Sequence, residues 1–311
     1  MISEVPAWTV PLPVEGREQY ERHNFRLVLA HDAVVGAWFC LNLKDGTQRW
    51  GRSQKDFGDA NHVFGVFKEW VVAETSTCPD AHWEHSGIYG ISLQDGAPVW
   101  PANPRMFGSR LIQLFRNRKI VNLSSEGVLC EDGGLFAYED GKCAGQRVVT
   151  QEKQTEWRAA WELLTIQGFV YVKEFGRLRH GTPQAPCPPG LAFESLPESF
   201  FWEDNSGQWK WVFHPRLEGI DSVIGYLPWG LTYPDLYFCA RERKPKRLGL
   251  QIDTSIQTLD LRSGTLTQKV PISLVPAESS RIEAINSAGI IASYRQGDDV
   301  FLTFFPRSIE A

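Results

Sequence analysis

The densest set of groups able to hold a metal is CPDAHWEH at residues 78–85, which places Cys78, Asp80, His82, Glu84 and His85 within eight positions. Zinc accepts thiolate, imidazole and carboxylate donors, and short Cys/His spacings are one way to supply them. A second ligand pair is needed to complete such a site, and the rest of the chain offers none at a matching spacing. His82 and Glu84 would share a face only if the segment stayed extended. The stretch is therefore read as a solvated loop with no metal assigned, and Cys78, His82 and His85 are the residues a metal would use.

Other chemistry leaves fewer traces. GxSxG, HExxH, GxxxxGK[ST] and GxGxxG do not occur. Acid/base pairs brought together only by folding do not show in sequence spacing. RERKPKR (241–247) gathers five basic residues around Glu242 and Pro245, and RNRK (116–119) adds a shorter group. Basic runs can neutralise phosphates, but both fall where hairpin tips are expected, and the whole chain carries −5, with 32 basic against 37 acidic residues. That balance argues against broad nucleic-acid binding and mildly favours a basic partner.

The elements that must position these residues follow from a repeat. LKDGTQRW (43–50) returns as LQDGAPVW (93–100), and the apolar offsets return with it. Leu41-x-Leu43-x-Asp45-Gly46 ends at Trp50, and Ile91-x-Leu93-x-Asp95-Gly96 ends at Trp100. Phe136-x-Tyr138-x-Asp140-Gly141 has Gly145 in place of Trp. Weaker copies are Ser206-Gly207 with Trp211, and Leu259-x-Leu261-x-Ser263-Gly264 with Gln268. The glycines recur at spacings of 50, 45, 66 and 57 residues, a period that belongs to propellers and other arrays of supersecondary units.

Each copy reads as a hairpin: alternating apolar residues, a turn residue that tolerates positive φ, and Trp on the returning strand. Strand-like runs lie upstream, NHVFGVF and EWVVAET before GIYGISL, and RLIQLF and KIVNLSS before GLFAYED. Four strands per repeat make a propeller blade, with Trp filling the wedge between blades. RIEAINS, GIIASYR and VFLTFFP supply three strands of a last blade, and AWTVPL near the N-terminus would pair beside VFLTFF and remove an edge. An all-β, single β-propeller domain over residues 1–311 is expected, with six four-stranded blades, residues 1–14 as the closing strand, and a seventh blade if the 66-residue gap holds a degenerate copy. QEKQTEWRAAWELL (151–164) is read as a short helix followed by a strand.

These copies resemble the PQQ-type repeat of quinoprotein propellers, in which an apolar strand, a Thr-Gly or Asp-Gly turn and a Trp four residues after the Gly recur. The resemblance covers roughly residues 26–270 and implies a fold rather than an activity. Quinoprotein dehydrogenases carry adjacent cysteines beside the quinone and an acidic and amide calcium site. Here Cys40, Cys78, Cys130, Cys143, Cys187 and Cys239 are scattered, so no residue carries over as a ligand and no cofactor is expected. The cysteines are read as free thiols of a reducing compartment.

Insertions carry the remaining signal. STCPDAHWEHSG (76–87), FGRLRHGTPQAPCPPGLAFESLPES (175–199, with five prolines) and RERKPKRLGLQIDTS (241–255) each fall between the second and third strands of a blade. That places them opposite the Asp-Gly turns. Trp83, Phe193, Arg177, Arg179 and Arg243 are residue types that anchor protein interfaces, although the same loops would equally cap a central channel. Asp80, Glu84 and Glu194 could pair with a basic surface.

The sequence thus points to a non-catalytic protein-binding propeller, most specifically a bacterial immunity protein that neutralises a toxin, a basic nuclease being one such toxin. A metal-dependent hydrolase or lyase and a general interaction scaffold are the alternatives. The opening MISEVPAWTVPLPVEG lacks a secretory pattern, and the longest nearly apolar run, AVVGAWFCLNL (33–43), is too short to span a bilayer. A cytoplasmic protein with no membrane contact is expected.

Overall fold

The computed structural model describes residues 1–21, 27–52, 62–74, 88–100, 120–130, 132–148, 169–172, 176–181, 199–204, 206, 208–224, 231–232, 234–246, 249–273, 277 and 279–307. These form two compact units, one of residues 1–9 and 158–311 and the other of residues 10–157. Both are all-β and built from antiparallel sheets of consecutive strands. No helix among the described residues is long and apolar enough to cross a membrane.

The unit of residues 10–157 contains three four-stranded sheets. In chain order they are β2 (Val28–Leu29), β3 (Ala33–Val35), β4 (Phe39–Asn42) and β5 (Gln48–Gly51); β6 (His62–Phe67), β7 (Trp70–Glu74), β8 (Ile88–Ser92) and β9 (Pro98–Trp100); and β10 (Ile120–Ser124), β11 (Gly127–Cys130), β12 (Gly134–Phe136) and β13 (Cys143–Gln146). A short helix, α1 (Val14–Glu21), precedes them. Gly127–Cys130 supplies a strand the sequence reading had not marked, while RLIQLF lies outside the described residues.

The other unit contains β14 (Phe169–Val172), β15 (Gly176–Gly181), β16 (Ser199–Glu203) and β17 (Trp209–Phe213) in one sheet. A second has β18 (Ser222–Ile224), β20 (Asp235–Lys246), β21 (Gly249–Asp260) and β22 (Thr265–Pro271), with β19 (Leu231–Thr232) also on β20. The third draws on both ends of the chain: β1 (Trp8–Pro11) pairs with β25 (Asp299–Pro306), followed by β24 (Gly289–Gln296) and β23 (Ser279–Ile285). The expected pairing of the N-terminal strand beside VFLTFF is therefore present. Ile2 adds a clamp, because Gln268 bonds both its N–H (3.0 Å) and its carbonyl (2.7 Å).

Central strands bury both faces, so they read as apolar runs rather than alternating ones. Gly127–Cys130, Ser199–Glu203 and the first six residues of β24 are buried throughout. The core is correspondingly layered between successive sheets. Trp38, Cys40, Val71 and Ile91 share one layer, Val72, Ile88, Val128 and Phe136 the next. In the other unit Phe200, Trp202, Phe238 and Leu259 form one layer, and Tyr237, Ile256, Ile282 and Phe305 another.

The repeated turns are alike in backbone detail. The N–H of Gly46, Gly96, Gly141 and Gly264 donates to the carbonyl four residues earlier, and each glycine sits at φ between 65° and 73°. Asp45, Asp95 and Asp140 each accept the N–H two residues on, at 2.9–3.0 Å. In the fourth copy, where Gly207 is outside the described residues, Asp204 takes the N–H of Ser206 and Gln208. All five hairpins then carry a register shift next to the Trp position, opposite Cys40, Gly90, Leu135, Trp202 and Thr258. The extra residue raises the local twist.

The Trp of one sheet reaches the turn of the next. Trp50 Nε1 donates to the Leu93 carbonyl at 2.9 Å, and Trp211 Nε1 to the Leu261 carbonyl at 2.8 Å. The same geometry thus occurs in both units and gives the turn and the Trp a shared role: the indoles of Trp50 and Trp211 are each seated on the Leu-x-x-Gly of the following copy.

Candidate functional site

Two of the three expected loop insertions are partly strand. Gly176–Gly181 is β15, paired on both sides, with Arg177 opposite Glu203 and Tyr171, and Arg179 opposite Phe201 and Phe169. Arg177 and Arg179 thus lie within a central strand, not on a loop. RERKPKRLGLQIDTS is likewise strand at its described residues, 241–246 and 249–255. It is the end of a ribbon made by β20 and β21, twelve residues each, in continuous register from Asp235↔Asp260 to Lys246↔Gly249. Alternation between the strands keeps both in extended conformation despite the charges, because each has a partner. The remaining expected residues, Asp80, Trp83, Glu84, Phe193 and Glu194, lie outside the described residues, as do Cys78, His82, His85 and the segment 151–164. The connections 75–87 and 182–198 do fall between the second and third strands of their sheets.

The ribbon outruns its sheet. β18 pairs with β20 only as far as Arg241, and β22 with β21 from Ser255 on. Asp221 and Ile272 add one backbone bond each, to Arg241 and Thr254. No further strand is paired with Glu242–Lys246 or Gly249–Asp253 among the described residues. At the root a buried carboxylate holds three strands together: Glu242 on β20 accepts from Lys269 Nζ on β22, at 2.6 Å for Oε2, and from Gln257 Nε2 on β21 at 3.0 Å.

Of the expected site residues that are described, Arg243 stands exposed. It lines an open cavity of about 550 Å³ with Arg216, Gly219, Ile220 and Asp221. Its Nε is 4.0 Å from Asp221 Oδ2, too far for a hydrogen bond, so the pair is held by charge alone. Opposite, a 3-10 turn (Pro215–Glu218) presents Arg216, Leu217 and Glu218 to solvent, with Leu217 68% exposed. The turn is fixed from beneath. Pro215 and Ile220 are buried, Gly219 closes the turn at φ 76°, and the Ile220 N–H returns to the Pro215 carbonyl at 3.0 Å.

Just before that turn, His214 Nδ1 and Ser199 Oγ are 2.5 Å apart. A hydroxyl beside an imidazole is the beginning of an activated nucleophile, but Ser199 has no exposed surface and His214 only 6%. The pair therefore acts as an anchor for the turn, and burial pulls the His214 pKa below the usual imidazole value. A second buried polar group sits in β23, where Glu283 accepts from Arg281 Nε and from Ser293 Oγ at 2.5 Å. Burial raises the Glu283 pKa, with Arg281 and Ser293 opposing the shift. Neither cluster is open to a substrate. Among the described residues no three His, Cys, Asp or Glu side chains are grouped as metal ligands would be.

Arg216 and Leu217 were not marked by sequence reasoning. The signal was HPRLEG, a proline at the first turn position and a glycine after the last, but nothing in it names the neighbour it will meet.

No family model and no curated protein sequence matches the chain. Similar solved structures include the AfRom2 CNH domain, 13% identical, with 97% of this chain and 81% of that one covered at a TM-score of 0.27. A europium-containing methanol dehydrogenase is 11% identical, with 85% of this chain and 45% of that one covered at a TM-score of 0.21. Likenesses of this degree carry no argument about what the chain does.

Proposed function

We propose that the protein is a non-catalytic binding protein built on a β-propeller of six four-stranded blades, closed by the N-terminal strand. The six sheets, the uniform hairpins and bulges, and the pairing of β1 with β25 support the propeller. The observation that carries the binding reading is the β20–β21 ribbon: strands twice the usual length run past their neighbours and present exposed Arg243 at the cavity shared with the 3-10 turn. Among the described residues the outer part of the ribbon pairs only with itself, and a partner would explain such an extension. The narrower form of this reading is an immunity protein that covers a toxin.

The test is capture of the tagged full chain from lysate of its source cells, with mass spectrometry after a high-salt wash. One stoichiometric partner, whose own activity falls when the complex forms, is the expected result. Recovery of no partner would overturn the binding reading, and a partner with unchanged activity would overturn the immunity form.

A further inference from the structure

We propose that Arg216, Leu217 and Arg243 form a docking site for an acidic segment of a protein partner. A carboxylate enters the cavity that the two arginines line, and an apolar neighbour covers Leu217. The inference rests on the protein-binding reading above and adds the partner's chemistry.

Charge and rigidity carry it. Arg216 and Arg243 line one cavity together with Asp221, and the Arg243–Asp221 contact is long enough for an incoming carboxylate to compete. Arginine offers a planar fork that receives a carboxylate bidentately. Arg216 and Leu217 stand on a turn whose ends are buried, so little further ordering is needed for binding. Arg243 itself is exposed, so its guanidinium is open to an incoming anion.

The edge of the ribbon indicates how the partner is held. The Arg241 carbonyl accepts the Asp221 N–H, so every second residue, 241, 243 and 245, turns its backbone groups toward that edge. Position 245 is proline, which has no N–H to give an added strand. Proline and lysine blunt an edge against strand addition, and contact through side chains is what remains.

A protein fits better than a nucleic acid. A phosphate backbone is negative throughout and would meet Asp221 in the cavity and Glu218 on the turn, while gaining nothing from exposed Leu217. An acidic segment with apolar residues uses all three proposed contacts.

The test is fluorescence anisotropy of the full chain with a labelled peptide of alternating Glu and Leu, a matched Gln/Leu peptide and a single-stranded oligonucleotide of similar length. The Glu/Leu peptide is expected to bind, weakening as salt rises. Arg216→Glu and Arg243→Glu should each weaken it by about tenfold or more, and Leu217→Ser by less. Arg243→Gln, which adds no charge beside Asp221, guards against misfolding and should weaken binding in the same direction, with an unchanged urea midpoint. No binding of the Glu/Leu peptide, binding indifferent to both arginines, or tighter binding of the oligonucleotide would each overturn the proposal. Lysate capture with the Arg216→Glu, Arg243→Glu double variant separates the two readings. A partner recovered equally by both proteins sinks the acidic docking site and leaves the binding function standing, whereas nothing recovered by the unaltered protein sinks the binding function itself.

Discussion

The indole of Trp211 lies against Gly264, so close that a β-carbon on the glycine would sit 2.5 Å from Cδ2. Trp50 and Gly96 stand in the same relation in the other unit, at 2.6 Å. In both, the glycine is required twice over, by its positive φ and by the ring above it. Gly219 has the same kind of φ, 76°, but nothing within 4 Å of the added carbon. Gly219→Ala should therefore cost only the backbone strain, about 1–2 kcal/mol, and Gly264→Ala that strain plus overpacking, about 2–4 kcal/mol in all. Urea denaturation of the two variants decides it, since equal losses would mean the ring contact has no energetic weight.

Trp211→Phe removes the Nε1–H bond to the Leu261 carbonyl and opens space over the turn. Loss of one such bond costs about 1 kcal/mol. Because the smaller ring relieves the overlap, Gly264→Ala should cost less in the Phe background than in the native one. A double-mutant cycle reads this as a coupling of about 1 kcal/mol. Strict additivity would show that the two residues do not act together.

How far the sequence discloses this arrangement differs by element. The Asp-Gly turns, the Trp positions and the three last strands were legible because turn chemistry and apolar alternation are local properties. The bulge beside each Trp was not, since an extra residue leaves no mark in the pattern. GRLRHG read as part of a loop because only Leu178 of its side chains is apolar. Its strand conformation comes from Phe169–Val172 and Ser199–Glu203 on either side, which are distant in sequence. RERKPKR misled for the same reason, residues 241–246 being paired with residues 249–254. Arg243 was selected by residue type, yet its meeting with Arg216 and Asp221 depends on a turn and a strand start that share no motif with it.

Glu283 and His214 bias stability with pH in opposite senses. The buried Glu283 carboxyl keeps its proton to higher pH than it would in the unfolded chain. Its stabilisation is complete below the ordinary value of about 4.3 and is lost as pH rises through the raised native value. Glu283→Gln should remove that decline. Subtracting the variant's stability curve from the native one as pH rises above about 4.3 should leave a falling difference, with a slope of at most about 1.4 kcal/mol per pH unit. A flat difference would show that Arg281 and Ser293 cancel the burial.

His214 resists protonation in the folded chain because it is buried. The unfolded state takes up a proton first as pH drops below about 6.5, so stability falls toward acid over that range. His214→Asn should abolish this acid-side loss while weakening the anchor to Ser199. A native-minus-variant curve that rises with pH through the imidazole range supports the assignment, and one without slope refutes it.

The described cysteines differ sharply in access. Cys40, Cys130 and Cys239 are buried and Cys143 is exposed on β13. Burial pushes the Cys40 thiol up to about 12. Cys239 is raised further, first by burial and then by the neighbouring Glu283 carboxylate. Since the thiolate is the reactive form, neither offers a nucleophile at neutral pH. A short pulse of iodoacetamide on the native chain should therefore alkylate Cys143 ahead of the other three, which should react only after urea is added. Peptide mapping by mass spectrometry reads each site separately. Labelling of Cys40 or Cys239 at the rate of Cys143 would mean that the layers between sheets open on the timescale of the pulse, and that the packing around Trp50 and Tyr237 is looser than their burial indicates.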